Sequence, residues 1–304
     1  MTRLPPPGDH GGDARSVAAA LGLAPSSMLD LSLSLNPVAP PIEPLLQRHL
    51  AAARAYPDPS TATAALAEVL GVDRRCLLLT NGGAESIALV GSEVGTGWVE
   101  APDFSLYARS LAALDPAGPR FRSNPNNPTG RLAGPSDRAD VWDEAFYSLA
   151  TGRWTRGDAA AGAVVLGSLT KLFACPGLRV GFVLAADVDL MARLARRQPR
   201  WSVNGLAAAV LPDLLEAADL AGWAAATADL RRSLVGILCS AGFEPEPSDA
   251  NFVLLHAPGL RARLAPAGIV VRDCASFGLP EHVRIAVPAE PGLVRLARAL
   301  EEGG

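Results

Sequence analysis

The chain has 304 residues, of which 49% are hydrophobic, and its 27 basic and 31 acidic residues leave a formal net charge of −4. This length supports a sizeable core and predicts two subdomains, since single cores stop growing near roughly 250 to 300 residues. With no basic stripe and no uninterrupted apolar stretch of about 18 residues, the sequence argues against a nucleic-acid partner and against a membrane span.

The beginning of the chain and its cysteines point to a reducing compartment. The first residues, "MTRLPPPGDHGGDARS", lack the apolar core of a secretion signal, so we expect a cytoplasmic protein. The four cysteines are far apart and form no CxxC pair, which favours free thiols and argues against a metal site.

Short apolar strands alternate with helical segments through the first two thirds of the chain. "RRCLLLT" precedes "GGAESIALVGSEV", "GWVEA" precedes "DFSLYARSLAAL", and "AVVLGSL" follows "VWDEAF". This alternation predicts a mainly parallel sheet covered by helices. A ligand site is then expected at the carboxyl ends of the strands.

From about residue 206 the pattern changes. "GLAAAVLPDLLEAADLAGWAAATADLRRSLVGILCSAG" is strongly helical and is followed by the strands "DANFVLLHAP", "GIVVRDC" and "EHVRIAVP" and the helix "PGLVRLARALEE". These segments predict a second, smaller α/β unit, which "LGLAPSSMLDLSLSLNP" at the front of the chain is expected to join. We therefore predict a large domain over residues 40–217 and a small domain formed by residues 1–39 with 218–304.

"LLLTNGGAES" reads as a strand, a tight glycine turn and the start of a helix. The amides of Gly83, Ala84 and Glu85 can then point at an anion, with the helix dipole behind them. An ordinary turn is the alternative interpretation of so short a motif.

"SNPNNPTG", residues 123–130, is rich in turn-forming residues. A surface loop is its simplest interpretation. Two asparagines before a proline can also act as fixed donors toward a ring substituent. Asp143, at the end of the apolar "VWD" stretch, has the alternative role of a helix N-cap.

Lys171 ends the apolar run "VVLGSLTK", with Ser168 before it and Arg179 after it. A hydroxyl and a guanidinium suit a phosphate, and an amine can condense with an aldehyde. The alternative is a lysine that extends to the surface. Arg272 and Arg284, at the ends of late strands, can bind a carboxylate or phosphate or can form ion pairs.

The order of these motifs resembles the fold-type I pyridoxal-phosphate enzymes of aminotransferase class I/II. A glycine turn, "PDFSLY", "NPNNPTG", "DEAF", "SLTK" and a late arginine follow one another as in that family. The resemblance implies an α/β fold with a large cofactor-binding domain and a smaller C-terminal domain. It also implies the cofactor pyridoxal 5'-phosphate.

The resemblance assigns roles to individual residues. Lys171 would hold the cofactor covalently, and Asp143 would pair with its ring nitrogen. Asn127 matches the residue that contacts the ring hydroxyl, and Phe104 matches the aromatic that stacks on the ring. The cofactor phosphate would be bound by Gly83, Ala84, Glu85, Ser168 and Arg179.

The family pattern also implies a partner and a substrate class. Tyr56 in "AYPDPS" matches a tyrosine that reaches the phosphate of the neighbouring subunit, so a homodimer is implied. The substrate-binding residues would be Asn36, Arg272 and Arg284. Arg284 matches the arginine that binds the substrate carboxylate, and Arg272 matches a second anion-binding arginine in branches that use phosphorylated amino acids.

Two activities within the family remain open. "HGGD" and "VRDCASFGLP", together with Phe146, resemble the branch of threonine-phosphate decarboxylases of cobalamin biosynthesis, while the overall scaffold also resembles histidinol-phosphate aminotransferases. The first hypothesis is therefore a decarboxylase-type lyase, and the second is an aminotransferase.

Two segments are shorter than the family pattern, one between Tyr107 and "SNPNNPTG" and one between that motif and "DEAF". They predict that one side of the large domain is trimmed. This shortening motivates a third hypothesis, a non-catalytic protein that binds pyridoxal phosphate. Pro288, which follows "RIAV" where the cobalamin branch tends to have an arginine, predicts a difference in substrate recognition.

Overall fold

The chain folds around two separate β-sheets, as seen in a computed structural model that describes residues 4–8 and 10–302. The α-helices are α1 Ala14–Leu21, α2 Glu43–His49, α3 Ser60–Leu70, α4 Gly83–Val94, α5 Leu106–Ser110, α6 Tyr147–Thr151, α7 Leu169–Leu172, α8 Val188–Arg197, α9 Gly205–Glu216, α10 Leu220–Ser240, α11 Leu260–Leu264 and α12 Glu290–Glu302. The β-strands are β1 Leu29–Leu31, β2 Leu77–Thr80, β3 Thr96–Val99, β4 Ala113–Leu114, β5 Arg120–Ser123, β6 Val141–Asp143, β7 Val164–Ser168, β8 Gly181–Leu184, β9 Phe252–His256, β10 Ile269–Asp273 and β11 His282–Ala286.

The larger sheet has seven strands in the order β2-β8-β7-β6-β5-β3-β4. Strands β3 to β7 pair in parallel, whereas β8 is antiparallel to both β7 and β2. The central strand β7 is buried from Val164 to Gly167, as expected where helices cover both faces of a sheet. The predicted mainly parallel sheet is confirmed, with β8 as its exception.

The strand register brings four chain turns to one edge of this sheet. Ser123 at the end of β5 is the partner of Asp143 at the end of β6. Ser168 at the end of β7 and Thr80 at the end of β2 both pair with Gly181, the first residue of β8. The glycine turn, the "NPNNPTG" loop, Asp143 and the Lys171 segment therefore leave the sheet side by side.

The smaller sheet has four strands in the order β1-β10-β11-β9. Its first strand, β1, comes from the front of the chain and pairs in parallel with β10, and the remaining pairs are antiparallel. The long helix α10 packs on α12 and β9 beside this sheet and also on α6 beside the larger one. The domain boundaries given above stay predictions.

One predicted helical stretch is divided into two helices, and another is shorter than predicted. The helical stretch that begins near residue 206 is divided into α9 and α10, because Asp219 caps the second helix by accepting a hydrogen bond from the Gly222 amide at 2.9 Å. The helix predicted over "DFSLYARSLAAL" is reduced to the five residues of α5, since the chain turns extended at Leu111 and pairs as β4. The helical character predicted from about residue 206 is therefore confirmed, whereas the prediction of helix throughout "DFSLYARSLAAL" was wrong.

The segment between β5 and β6 is irregular. Residues 124–140 contain neither helix nor strand. A surface groove of about 700 Å³ lies next to this segment, between Trp98, Arg120 and Trp142. The short segments read from the sequence thus leave part of this sheet face open.

All four cysteines are free thiols. Within residues 4–8 and 10–302, no helix has the length and apolar character needed to cross a membrane. Across the same described ranges, no cluster of three or more His, Cys, Asp or Glu side chains is arranged to hold a metal ion.

Substitution of Gly181 tests whether β8 lies as close to the glycine turn as the structure shows. A Cβ at this position would lie 2.6 Å from the carbonyl carbon of Gly82 and 2.7 Å from the amide nitrogen of Gly83. We expect Gly181→Ala to lower the free energy of unfolding by about 1 to 3 kcal/mol, measured by urea denaturation. The control is Gly236→Ala in α10, where a Cβ meets no atom within 4 Å and the change should stabilise the protein by about 0.5 to 1 kcal/mol. A Gly181→Ala protein as stable as the wild type would contradict this packing.

Candidate active site

A cavity of about 300 Å³ opens at the edge of the larger sheet where these turns meet. It is lined by most of the site residues predicted from the sequence, namely Gly83, Ala84, Phe104, Asn127, Asp143, Ser168, Lys171, Arg179, Arg272 and Arg284. The three other predicted residues, Glu85, Asn36 and Tyr56, lie outside its lining.

Lys171 lies in the short helix α7, directly after the buried strand β7. Its amine is 5.9 Å from the centre of the Phe146 ring, and no side chain in the described part of the chain accepts a hydrogen bond from it. Burial, with the positive charges of Arg284 and Arg179, lowers the pKa of Lys171 to about 8, and the charge of Asp143 opposes this shift. At pH 7 roughly one amine in ten is then neutral and nucleophilic.

Lys171 is also the only lysine in the whole sequence, whose other 26 basic residues are all arginines. An amine can lose its proton near neutral pH, whereas a guanidinium stays charged. The composition alone therefore marks position 171, without reference to any motif.

Asp143 is held rigidly at the end of β6. The Tyr107 hydroxyl donates to its Oδ2 at 2.8 Å, and the Ala145 amide donates to its Oδ1 at 2.9 Å. Burial raises the pKa of Asp143, and these hydrogen bonds and the charge of Lys171 act against that shift. Both carboxylate oxygens are thus held by protein donors, in a cavity that Lys171 also lines.

A group of potential anion-binding atoms surrounds the start of α4. The first-turn amides of Gly83 and Ala84 have no acceptor within the helix. Gly82 has a φ of 76°, and a Cβ there would lie 2.6 Å from Nη2 of Arg179. Arg179 itself has a φ of 57°, a strained conformation for a residue with a side chain. The turn therefore accommodates the guanidinium only because residue 82 is glycine.

Glu85 uses its polar groups within the protein. Its carboxylate accepts hydrogen bonds from the Asn81 amide at 2.6 Å and from Gln198 Nε2 at 3.1 Å, and also from the Ser202 hydroxyl. Its own amide donates to the Gly82 carbonyl at 3.1 Å. The side chain connects the start of α4 to Asn81 and to residues 198–202, and a contact with the cofactor phosphate stays a prediction.

Asn36 is buried beneath the Lys171 segment. Its Nδ2 donates to the Leu172 carbonyl at 2.9 Å, its amide donates to the Lys171 carbonyl at 3.0 Å, and its Oδ1 accepts from the Val38 amide at 3.0 Å. These bonds position the turn that carries Lys171. The predicted contact of Asn36 with substrate stays a prediction.

Two buried arginines approach the cavity from the smaller sheet. Arg272 of β10 and Arg284 of β11 are directly paired across the strands, so their side chains share one face. Arg272 donates to the Gly8 carbonyl and to the Ser276 hydroxyl, each at 2.7 Å. Arg284 donates to Asn127 Oδ1 and, at 3.2 Å, to the Ser32 carbonyl, while its Nε has no partner among the described residues.

Residues that were not predicted from the sequence position Asn127 and Phe104 in the cavity wall. Asn127 donates its amide to the Ser123 hydroxyl at 2.7 Å, and Asp103 accepts from both the amide and the hydroxyl of Ser123. Phe104 packs edge-on against Tyr107 with ring centres 5.7 Å apart. Asp103, Tyr107 and Ser123 stood within quoted motifs, but sequence spacing gave no sign that they contact one another.

Tyr56 lies on the surface, apart from the cavity of its own chain. It is 78% exposed and stacks on Trp201, which is 54% exposed, with ring centres 4.4 Å apart. Its predicted reach into a partner subunit stays a prediction.

Comparison with known proteins gives consistent similarities. A model of the family "aminotransferase class I and II" matches residues 121–301. The chain is 32% identical to threonine-phosphate decarboxylase from Salmonella typhimurium, over 96% of this chain and 95% of that protein. It is 27% identical to histidinol-phosphate aminotransferase 1 from Dechloromonas aromatica, over 94% of this chain and 92% of that protein.

A solved structure shares the fold. The crystal structure of histidinol-phosphate aminotransferase from Sinorhizobium meliloti in complex with pyridoxal-5'-phosphate superposes with a TM-score of 0.80 at 16% identity, covering 95% of this chain and 94% of that one. The two chains therefore share one overall fold.

The depressed pKa of Lys171 predicts an unusual pH profile of labelling. In the protein without cofactor, the rate of acetylation of Lys171 by acetic anhydride should rise with pH to a midpoint near 8, because burial and two neighbouring guanidinium groups disfavour its ammonium form. Mass spectrometry of the peptide that contains residue 171 gives this rate. Urea-unfolded protein is the control and should show a midpoint near the ordinary value of about 10.4. Equal midpoints in both states would contradict the electrostatics of the site.

Proposed function

Because the chain belongs to the aminotransferase class I and II family, whose members here are pyridoxal-phosphate-dependent enzymes, we propose that it acts on a phosphorylated amino acid. The proposed reaction is decarboxylation of threonine phosphate, which yields the aminopropanol phosphate used in the cobalamin side chain. The alternative within the family is transamination of histidinol phosphate or a similar compound.

The residues of the cavity fit pyridoxal phosphate. The amine of Lys171, which has no side-chain acceptor among the described residues, shares a cavity with the fixed carboxylate of Asp143 and the ring of Phe104. The cavity volume of about 300 Å³ suits a small ligand. The cradle of Gly83, Ala84, Ser168 and Arg179 offers amides, a hydroxyl and a guanidinium to an anion. We propose that Lys171 holds the cofactor covalently, that Asp143 faces its ring nitrogen and that the cradle binds its phosphate.

The cofactor supplies an electron sink for negative charge that develops at the substrate α-carbon. The protein's own groups bind the substrate, orient it and move protons. Lys171, with a pKa of about 8, can take up and return a proton at neutral pH. Both oxygens of Asp143 accept hydrogen bonds, one from Tyr107 and one from Ala145. The orientation of the carboxylate is therefore set before any ligand binds.

The main observation that supports a phosphorylated amino acid as substrate is the pair of arginines in the smaller sheet. Arg272 and Arg284 are buried, adjacent across β10 and β11, and both line the cavity. Burial lowers the pKa of Arg284 to about 10, which still leaves it charged at neutral pH. Two fixed cations on one face suit a substrate with two anionic groups, a phosphate and a carboxylate.

The motifs that favour decarboxylation meet at the same cavity. His10 and Gly11 of "HGGD" and Phe277 of "VRDCASFGLP" line it, together with Phe146. The similarity to threonine-phosphate decarboxylase also extends over nearly the whole chain. These features support decarboxylation over transamination, because which bond of the α-carbon breaks depends on how the substrate is oriented.

We further propose that the protein acts as a homodimer in which Tyr56 contributes to the partner's site. The exposed Tyr56 and Trp201 form a stacked aromatic pair on the surface. Aromatic side chains of this kind are enriched at protein interfaces. This pair supports a contact with a second copy of the chain.

The reaction is tested by incubating the enzyme, saturated with pyridoxal phosphate, with threonine phosphate. We expect release of carbon dioxide and a free amine phosphate. Arg272→Ala should lower kcat/KM by roughly tenfold to hundredfold, the loss expected for one or two hydrogen bonds to a charged group. Arg263→Ala, which removes an arginine that packs on Phe243 outside the cavity, is the matched control and should leave kcat/KM unchanged. Formation of a keto product from an amino donor without carbon dioxide would reject decarboxylation and favour the aminotransferase.

The role of Tyr56 is tested by mixing two inactive variants, Tyr56→Ala and Lys171→Ala. In a hybrid dimer, one of the two sites receives Lys171 from one chain and Tyr56 from the other, so co-expression should restore up to about a quarter of the wild-type activity if the pairing is random. Each variant alone is the control. No recovery in a hybrid dimer isolated by two affinity tags would contradict a contribution from the partner.

A further inference from the structure

Asp103 is a buried carboxyl for which the proposed reaction has no use. It is 6% exposed and lies in the turn between β3 and α5. Its Oδ1 accepts a hydrogen bond from the Phe104 amide at 2.7 Å and another from the Ser123 hydroxyl, and its Oδ2 accepts from the Ser123 amide at 3.0 Å. Both oxygens of Asp103 are therefore acceptors for groups on two different chain segments.

From Asp103 the hydrogen bonds lead toward the residues expected to surround the cofactor ring. The amide of Phe104 is bonded to it directly. The second partner of Asp103, the Ser123 hydroxyl, accepts a hydrogen bond from the Asn127 amide at 2.7 Å. This bond fixes the start of the "NPTG" turn. Two residues expected to contact the ring are thus positioned by one carboxyl.

The Asp103 carboxyl also interacts electrostatically with Asp143. Ser123 and Asp143 are register partners on neighbouring strands. The charges of Asp143 and Asp103, together with burial, raise the pKa of Tyr107, whose hydroxyl donates to Asp143. The position of Asp103 therefore bears on all three groups that face the expected ring, which are Phe104, Asn127 and Asp143.

Burying a second carboxyl beside Asp143 is costly. Desolvation raises the pKa of Asp103 to about 7, and the charge of Asp143 adds to this shift, while the bonds from Ser123 and Phe104 oppose it. An asparagine of the same shape cannot replace it, because its Nδ2 would face an N–H or O–H donor in either amide orientation. The site needs two acceptor oxygens at this position.

We propose that Asp103 is a positioning residue for the cofactor ring, holding Phe104 through its amide and Asn127 through Ser123. The inference rests on the proposed function for the roles of Phe104, Asn127 and Asp143, but it does not depend on which substrate the enzyme uses. Asp103 itself does not line the cavity.

The test compares binding of pyridoxal phosphate to the wild type and to Asp103→Asn, followed by absorbance. We expect the dissociation constant to rise at least about tenfold, as for a lost hydrogen bond to a charged group, and the absorbance maximum of the bound cofactor to shift. Ser123→Ala should cause the same two changes. The double variant should lose clearly less binding free energy than the sum of the two single losses, because the two residues act through one chain of bonds.

Glu144→Gln is the matched control. Glu144 is 5% exposed, burial raises its pKa to about 7, and it accepts hydrogen bonds from the Arg156 amide rather than from a residue of the ring site. Its variant should keep the dissociation constant within about twofold and the spectrum unchanged, since only general stability is affected. An equal loss of cofactor binding in Glu144→Gln would overturn the proposal.

Cofactor binding by Asp103→Asn within twofold of the wild type, with an unchanged spectrum, would also overturn it. If Asp103→Asn does not fold, Ser123→Ala serves as the test instead. Unchanged cofactor binding and an unchanged spectrum in Ser123→Ala would then overturn the proposal. Failure of the proposed reaction is a separate result: the wild type would then bind the cofactor, and the variants would still bind it more weakly, while threonine phosphate released no carbon dioxide.

Discussion

The site depends on one amine placed among positive charges. Lys171 has lost the solvation of bulk water and faces Arg284 and Arg179, and these influences outweigh the attraction of Asp143. With a pKa of about 8, Lys171 gives up its proton at a lower pH than a lysine in solution does. Because the amine has no hydrogen-bond acceptor among the described side chains, it is available both as a nucleophile and as a carrier of a proton.

This placement requires both sheets. The larger sheet provides Asp143, Ser168 and Lys171 at the ends of adjacent strands. The smaller sheet provides Arg284, which reaches across to Asn127. Asn36, which follows β1 in the chain, binds the backbone beneath Lys171. A change in the packing of the two sheets would therefore alter the charge around Lys171 as well as the shape of the cavity.

Much of this arrangement follows from local sequence signals. The glycine turn, "NPNNPTG", Asp143 and "SLTK" stand at strand ends, and parallel strands bring such ends together, so the common location of these residues was predictable. The helix over "DFSLYARSLAAL" was wrong because pairing of Ala113 with Thr96 keeps that part of the chain extended. Periodicity alone cannot show a two-residue strand at a sheet edge.

The positions of Asp103, Glu85 and Asn36 were beyond sequence analysis for a related reason. Each of these side chains has a hydrogen-bond partner in a distant part of the chain. Glu85, for example, bonds to Ser202, and Asn36 bonds to Leu172. Residue type marks such a side chain as polar, but only the fold decides whether it faces a ligand or the backbone. The single lysine, in contrast, was a signal in the composition itself.

The most direct measurement uses that single lysine. The protein is loaded with pyridoxal phosphate, treated with borohydride and analysed by intact mass and peptide mapping. The account predicts one added pyridoxyl group, located on the peptide that contains Lys171, and no addition to Lys171→Ala. Tight cofactor binding that leaves Lys171 unmodified after reduction, or an equal addition to Lys171→Ala, would contradict it.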